Sequence, residues 1–236
     1  MKISALLTII ASIGVSGPAM YDFGTGGTKV LCVPAQEMDQ SLIPFTTVST
    51  HLQVVAGKEP DFAVLYNAPY MRKFIHAYAV NTGFPEAYLG NQLWAEIDFI
   101  RPQDKNRYGP GMRGWFADEI WHGRSPCERA FVQHIAGTGY FRAQCGWGDE
   151  NVLLLNRAPN AHSPMPDLNA FVVASCRRNH INFGPYEGAV DRTCQRSLIA
   201  DGFLVTYHFQ EQNTALIPQF DGFFGSKIAE WRRSCR

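Results

Sequence analysis

FIHAYAVNTGFPEAYLGNQLWAEIDFIRPQDKNRYGPGMRGWFADEIWHGRSPCERAFVQHIAGTGYFRAQC, residues Phe74 to Cys145, is the stretch whose reading decides the fold. Within it, Gln92 to Ile100 alternates Leu93, Ala95, Ile97 and Phe99 with Trp94, Glu96 and Asp98, the period of a half-buried strand. Met71 to Val80 reads as another strand, with His76 and Tyr78 on one face. Asn81 to Pro85 reads as a turn. Tyr108 to Phe116 reads as a tight Gly-Pro-Gly turn entering a strand, with Arg113 where the two meet. Arg129 to Ile135 forms a strand carrying His134 near its end. Gly137-Thr138-Gly139 is a loop, and Tyr140 to Cys145 returns as a closing strand.

Upstream, Val30-Leu31 before Cys32 reads as a short strand or an anchored end, and one helix is placed within Pro44 to Ala56, with Gly57 as its stop. A helix followed by closely connected strands predicts α+β architecture: one helix packed on a twisted antiparallel sheet. Downstream, Asn151 to Leu155, Leu168 to Ser175 and Phe203 to Phe209 are strand candidates. Ala158 to Pro166 is a proline-rich loop, and a short helix is expected from Ser226. Residues 146–236 are therefore set apart as a C-terminal extension of uncertain structure, able to pack on the same sheet as a domain over 20–145.

Met1-Lys2, an apolar run from Ile3 to Val15 and the small residues Ser16, Gly17 and Ala19 have the layout of a signal peptide over 1–19, cleaved after Ala19. No later stretch approaches the roughly 20 apolar residues a spanning helix needs, so a secreted, extracellular, monomeric protein is expected. All six cysteines lie beyond the signal segment, an even number that favours three disulfides in an oxidising compartment while leaving their pairing open. No Cys-x-x-Cys or His-x-x-x-His spacing occurs, and no metal or other cofactor is expected. With 21 basic and 21 acidic residues the chain lacks the basic surplus of a protein that grips long nucleic acid.

Two histidines, a carboxylate and an arginine are the groups that transphosphorylation of RNA requires: a base, an acid and a fixed positive charge beside phosphorus. The segment His76-Ala77-Tyr78 with Gly83-Phe84, then Glu96 on a strand, then Gly109-Pro110-Gly111 before Arg113, then Phe131 to His134 with Gly137, Gly139, Phe141 and Cys145, resembles the small secreted fungal ribonucleases of the guanyl-preferring family, relatives of the ribotoxins. The resemblance covers residues 32–145. It implies a metal-independent endoribonuclease acting on single-stranded RNA through a 2′,3′-cyclic phosphate. In it, Glu96 supported by His76 is the base, His134 the acid and Arg113 the charge stabiliser, while Phe74, Tyr78, Thr82 and Phe141 bind substrate. It also implies a disulfide from Cys32 to Cys145.

The chain departs from the family in two places. Thr82 replaces the guanine-reading glutamate, and Phe74 stands where a tyrosine is usual. A rival acid within the chain is His208, at the end of an apolar strand and accompanied by Asp191-Arg192. The alternative to an enzyme is a catalytically inactive secreted effector or binding protein that meets a protein partner through its C-terminal region, since scaffolds outlive activities. His51, His122, His162 and His180 lack such company and are read as structural.

Overall fold

The computed structural model describes residues 19–22, 30–34, 62–99, 111–125, 127, 130–145, 151–180, 186 and 188–235. A two-stranded ribbon, β1 (Ala19–Asp22) and β2 (Val30–Val33), stands beside an eight-stranded antiparallel sheet. The large sheet contains β3 (Phe62–Tyr66), β4 (Leu93–Phe99), β5 (Phe131–His134), β6 (Phe141–Gln144), β7 (Asn151–Leu155), β8 (Val172–His180), β9 (Val190–Ala200) and β10 (Phe203–Gln210). Its spatial order is β3-β4-β10-β9-β8-β7-β6-β5. The helices are α1 (Ala68–Phe74), α2 (Gly111–His122), the single turn α3 (Leu168–Phe171) and α4 (Ile217–Arg233).

One helix on a ribonuclease-like sheet with an appended extension is thus corrected. Residues 151–210 supply β7 to β10, half of the strands and the middle of the sheet. The separate-looking C-terminal region is where the core forms. The helix expected within Pro44 to Ala56 lies outside the described residues.

The first face of the sheet is closed by α4. Its buried positions Ile217, Phe220, Phe224, Lys227, Ile228 and Trp231 follow helical spacing. Phe220 and Phe224 meet Tyr207 on β10 at ring-centroid distances of 5.8 and 5.1 Å. Leu93, Ala95 and Ile97 of β4 enter the same cluster, as the alternation of that segment predicts. Fully burying each large apolar side chain contributes about 1.5–3 kcal/mol, so this layer dominates stability. Polar groups on the same face are matched: Arg196 donates to the Asp221 carboxylate at 2.7–3.2 Å, and Arg142 and Arg192 share Glu211.

On the opposite face, among the described residues, α2 covers one end. Ala117, Ile120 and Trp121 pack over Ala143, Leu153, Leu155 and Phe171 in a second cluster. From Gly111 onward the stretch read as a turn entering a strand is therefore a helix, its apolar residues Ala117, Ile120 and Trp121 recurring at three and four positions rather than two. Met71 to Phe74, likewise read as strand, ends α1: Asn67 caps that helix by accepting from the Tyr70 amide at 2.8 Å, and Pro69 sits in its first turn.

Three disulfides close the structure: Cys32–Cys235, Cys127–Cys145 and Cys176–Cys194. The Cys32 to Cys145 pairing is corrected, since Cys145 faces the chain leaving α2 and Cys32 on β2 meets the end of α4. Among the described residues no helix is long and apolar enough to cross a membrane.

Candidate functional site

Antiparallel register places Trp94, His208, Gln195, Ser175, Leu153 and Ala143 side by side across β4, β10, β9, β8, β7 and β6, all on the face that α4 does not cover. A second row, Gln210, Thr193, Arg177 and Asn151, runs beside it. These rows floor a cavity of about 770 Å³. Phe116 and Ile120 of α2 form one wall, and Tyr88, Leu89 and Gly90 form the other.

The wall at Gly90 is rigid. Asp191, 1 % exposed, accepts hydrogen bonds from Gln210 at 2.6 Å, from the Tyr88 hydroxyl at 3.2 Å and from Thr193 at 3.2 Å. Three neutral donors hold this buried carboxylate. Gln210 also donates to the Gly90 carbonyl at 2.8 Å. A Cβ on Gly90 would come within 2.5–2.8 Å of Tyr88, Asp191 and Gln210, so only glycine lets the turn approach so closely. Burial, together with the Asp191 charge and hydrogen bond, pushes the Tyr88 hydroxyl up to about 12, and it stays a donor.

The floor differs in kind. His208 stacks flat on Trp94, with ring centroids 3.6 Å apart and planes 2° from parallel. Burial lowers the His208 pKa to about 4, so at neutral pH the ring is uncharged. His208, Gln195, Ser175 and Arg177 make no side-chain hydrogen bond among the described residues. Next to them, Ser197 and Thr206 bond to each other at 2.9 Å. The structure therefore satisfies its polar groups around the cavity and leaves those facing into it open.

The residues singled out in the sequence fall elsewhere. Glu96 lies exposed on β4, and His134 lies exposed on the edge strand β5 with its ring 5.1 Å from Phe141. Between β4 and β5 are six strand spacings of about 4.8 Å, roughly 29 Å along the sheet. His76 is exposed beyond α1, its Nδ1 2.8 Å from the Arg72 carbonyl. That helix packs beside α4, with Phe74 5.5 Å from Phe223, so His76 and Glu96 are on opposite sides of the sheet. Arg113 is in α2, and its side chain lies outside the described residues.

Among the residues expected to bind substrate, Tyr78 is buried and donates to the Asn91 carbonyl at 3.2 Å, its hydroxyl pushed well above the usual range by burial. Phe74 is exposed on α1, Thr82 is exposed on the following turn, and Phe141 packs under α2. Of the rival pair, His208 and Asp191 both line the cavity, whereas Arg192 points to the other face, where Glu211 accepts from it at 3.0 Å.

No family model matches the chain, and no curated protein does. Among solved structures the chain aligns with Smlt3025, an immunity protein of the Stenotrophomonas maltophilia type IV secretion system. That alignment spans 92 % of this chain and 93 % of that one at 9 % identity, with a TM-score of 0.43. Nothing in these comparisons points to a fungal ribonuclease. With Glu96 and His134 at opposite ends of one sheet, the expected base and acid cannot act on one phosphodiester. The ribonuclease and endonuclease reading, the family resemblance and the RNA partner are withdrawn.

Gln195, Ser175, Arg177 and Trp94 carry no motif, and sequence reasoning passed over them as functional residues. Asp201-Gly202, with φ of 52° and 87°, is the signal that could have found them. That pair closes the β9–β10 hairpin and so fixes which residues lie beside His208.

Proposed function

We propose that this protein is an exported, non-catalytic binding protein whose ligand occupies the cavity between α2 and the face of the sheet opposite α4. The observation that supports it is the row His208, Gln195 and Ser175, three adjacent polar side chains turned into a 770 Å³ cavity with no side-chain hydrogen bond among the described residues. A volume within the roughly 300–1,000 Å³ range suits a small molecule. These side chains are partly exposed, so their polar groups are free to bond to water and to exchange it for a ligand's polar atoms, which is how orientation is imposed on a ligand.

Export rests on the signal-peptide layout of residues 1–19 and on the three disulfides, which an oxidising compartment maintains. Cleavage after Ala19 leaves Met20 to Asp22 paired with β2. The C-terminal region, expected as an extension able to pack on the same sheet, contributes to the cavity floor through β8, β9 and β10.

The test is a fragment screen on the oxidised protein by two-dimensional NMR. Ligands should shift the Trp94 indole N–H and the Gln195 side-chain amide together. Hits confined to other surfaces, or none from a library of several hundred fragments, would remove the reading.

A further inference from the structure

We infer that the ligand is an organic anion with an apolar body, its charge received by Arg177 and its body lying against α2 at the β6–β7 end of the floor. This rests on the binding cavity proposed above and names the chemistry that the cavity selects.

The lining is divided. Toward β6 and β7 it is hydrocarbon: Ala143, Leu153, Phe116 and Ile120. Toward β8 and β9 it is rich in donors. Arg177 carries a permanent charge and a planar fork of N–H groups suited to a carboxylate or sulfonate. It faces Thr193 across the strand pair and Asn151 on the other side, and among the described residues no carboxylate pairs with it. Ser175 and Gln195 add a hydroxyl and an amide donor beside it.

The acidic group in the lining does not reverse this preference. Asp191 is 1 % exposed and already accepts from Gln210, Tyr88 and Thr193, so its charge is spent on holding the wall. His208, neutral at neutral pH, adds no charge. Among the described residues, an incoming anion therefore meets one available cation and several donors, whereas an ammonium meets Arg177 as a like charge.

Two dyes separate the charge from the body: 1-anilinonaphthalene-8-sulfonate, and N-phenyl-1-naphthylamine, which has the same rings without the sulfonate. Fluorescence titration of the oxidised full chain at low salt should show the sulfonate binding about tenfold more tightly than the neutral amine. Arg177→Gln should bring the sulfonate down to the level of the amine and leave the amine unchanged. Gln195→Trp and Ser175→Phe, each checked for cooperative thermal unfolding, should fill the floor and abolish both signals.

Equal binding of the two dyes, unaltered by Arg177→Gln but lost in the filled variants, would overturn the anion inference and leave the binding cavity standing. Signal that survives both filled variants, or no signal from either dye, would overturn the cavity reading with it.

Discussion

The two faces of the large sheet are built from the same strands and treat polar side chains in opposite ways. On the α4 face, every arginine described above has a carboxylate: Arg196 with Asp221, Arg142 and Arg192 with Glu211. The rest is aromatic packing around Tyr207, Phe220 and Phe224. On the other face, among the described residues, α2 seals the β6–β7 end, and Arg177, Gln195, Ser175 and His208 face a cavity. One face is finished by the chain itself. The other leaves polar side chains turned into a cavity, which is where the proposed ligand would sit.

Substitutions on the two faces should therefore differ in what they damage. Phe224→Ala, at the centre of the closed face, should cost about 3–5 kcal/mol of stability in urea unfolding, because the hole cannot collapse. A loss below about 1 kcal/mol would mean that α4 is not the packing layer it is described to be. Gly90→Ala, at the wall between closed and open regions, should cost about 1–3 kcal/mol through forced displacement of Tyr88, Asp191 or Gln210.

His208 gives the open face a pH signature. Its native pKa near 4 lies below the ordinary 6.5, so the unfolded chain takes up the proton first as pH falls. Stability should be unaffected by this group above about pH 6.5, fall between there and pH 4, and then level off. The total is on the order of 1–3 kcal/mol, and His208→Asn should flatten that part of the curve. A wild type and variant with parallel pH dependence would show that the ring is better hydrated than its stacking on Trp94 implies. The smallest effects belong to Ser175→Ala and Gln195→Ala, which break no internal hydrogen bond and should each change stability by less than about 0.5 kcal/mol. Larger losses would mean that the open row is structural after all.

Much of the strand layer was legible in the sequence. The alternation of Leu93, Ala95 and Ile97 set β4, the Gly137 loop set the β5–β6 hairpin, and the apolar runs at Asn151 and Phe203 became β7 and β10. β9 was not legible, although it is central. Its outward and inward residues, Thr193, Gln195 and Ser197 against Arg192 and Arg196, are polar on both faces, because one face floors the cavity and the other carries ion pairs. A hydrophobic period cannot reveal a strand whose burial depends on partners from elsewhere in the chain.

The four expected catalytic residues illustrate the same limit. Their order along the chain matched a known pattern, but order does not fix distance. Once β10, β9, β8 and β7 insert between β4 and β6, Glu96 and His134 are separated by the width of the sheet. The sequence by itself determined the even cysteine set and most of the strand periods, since these are read from residue types and from residues close in the chain. Disulfide pairing, strand order and the cavity floor were decided only by the tertiary structure, because each joins residues far apart in sequence, Cys32 to Cys235 at 203 positions and Trp94 to His208 across a shared register.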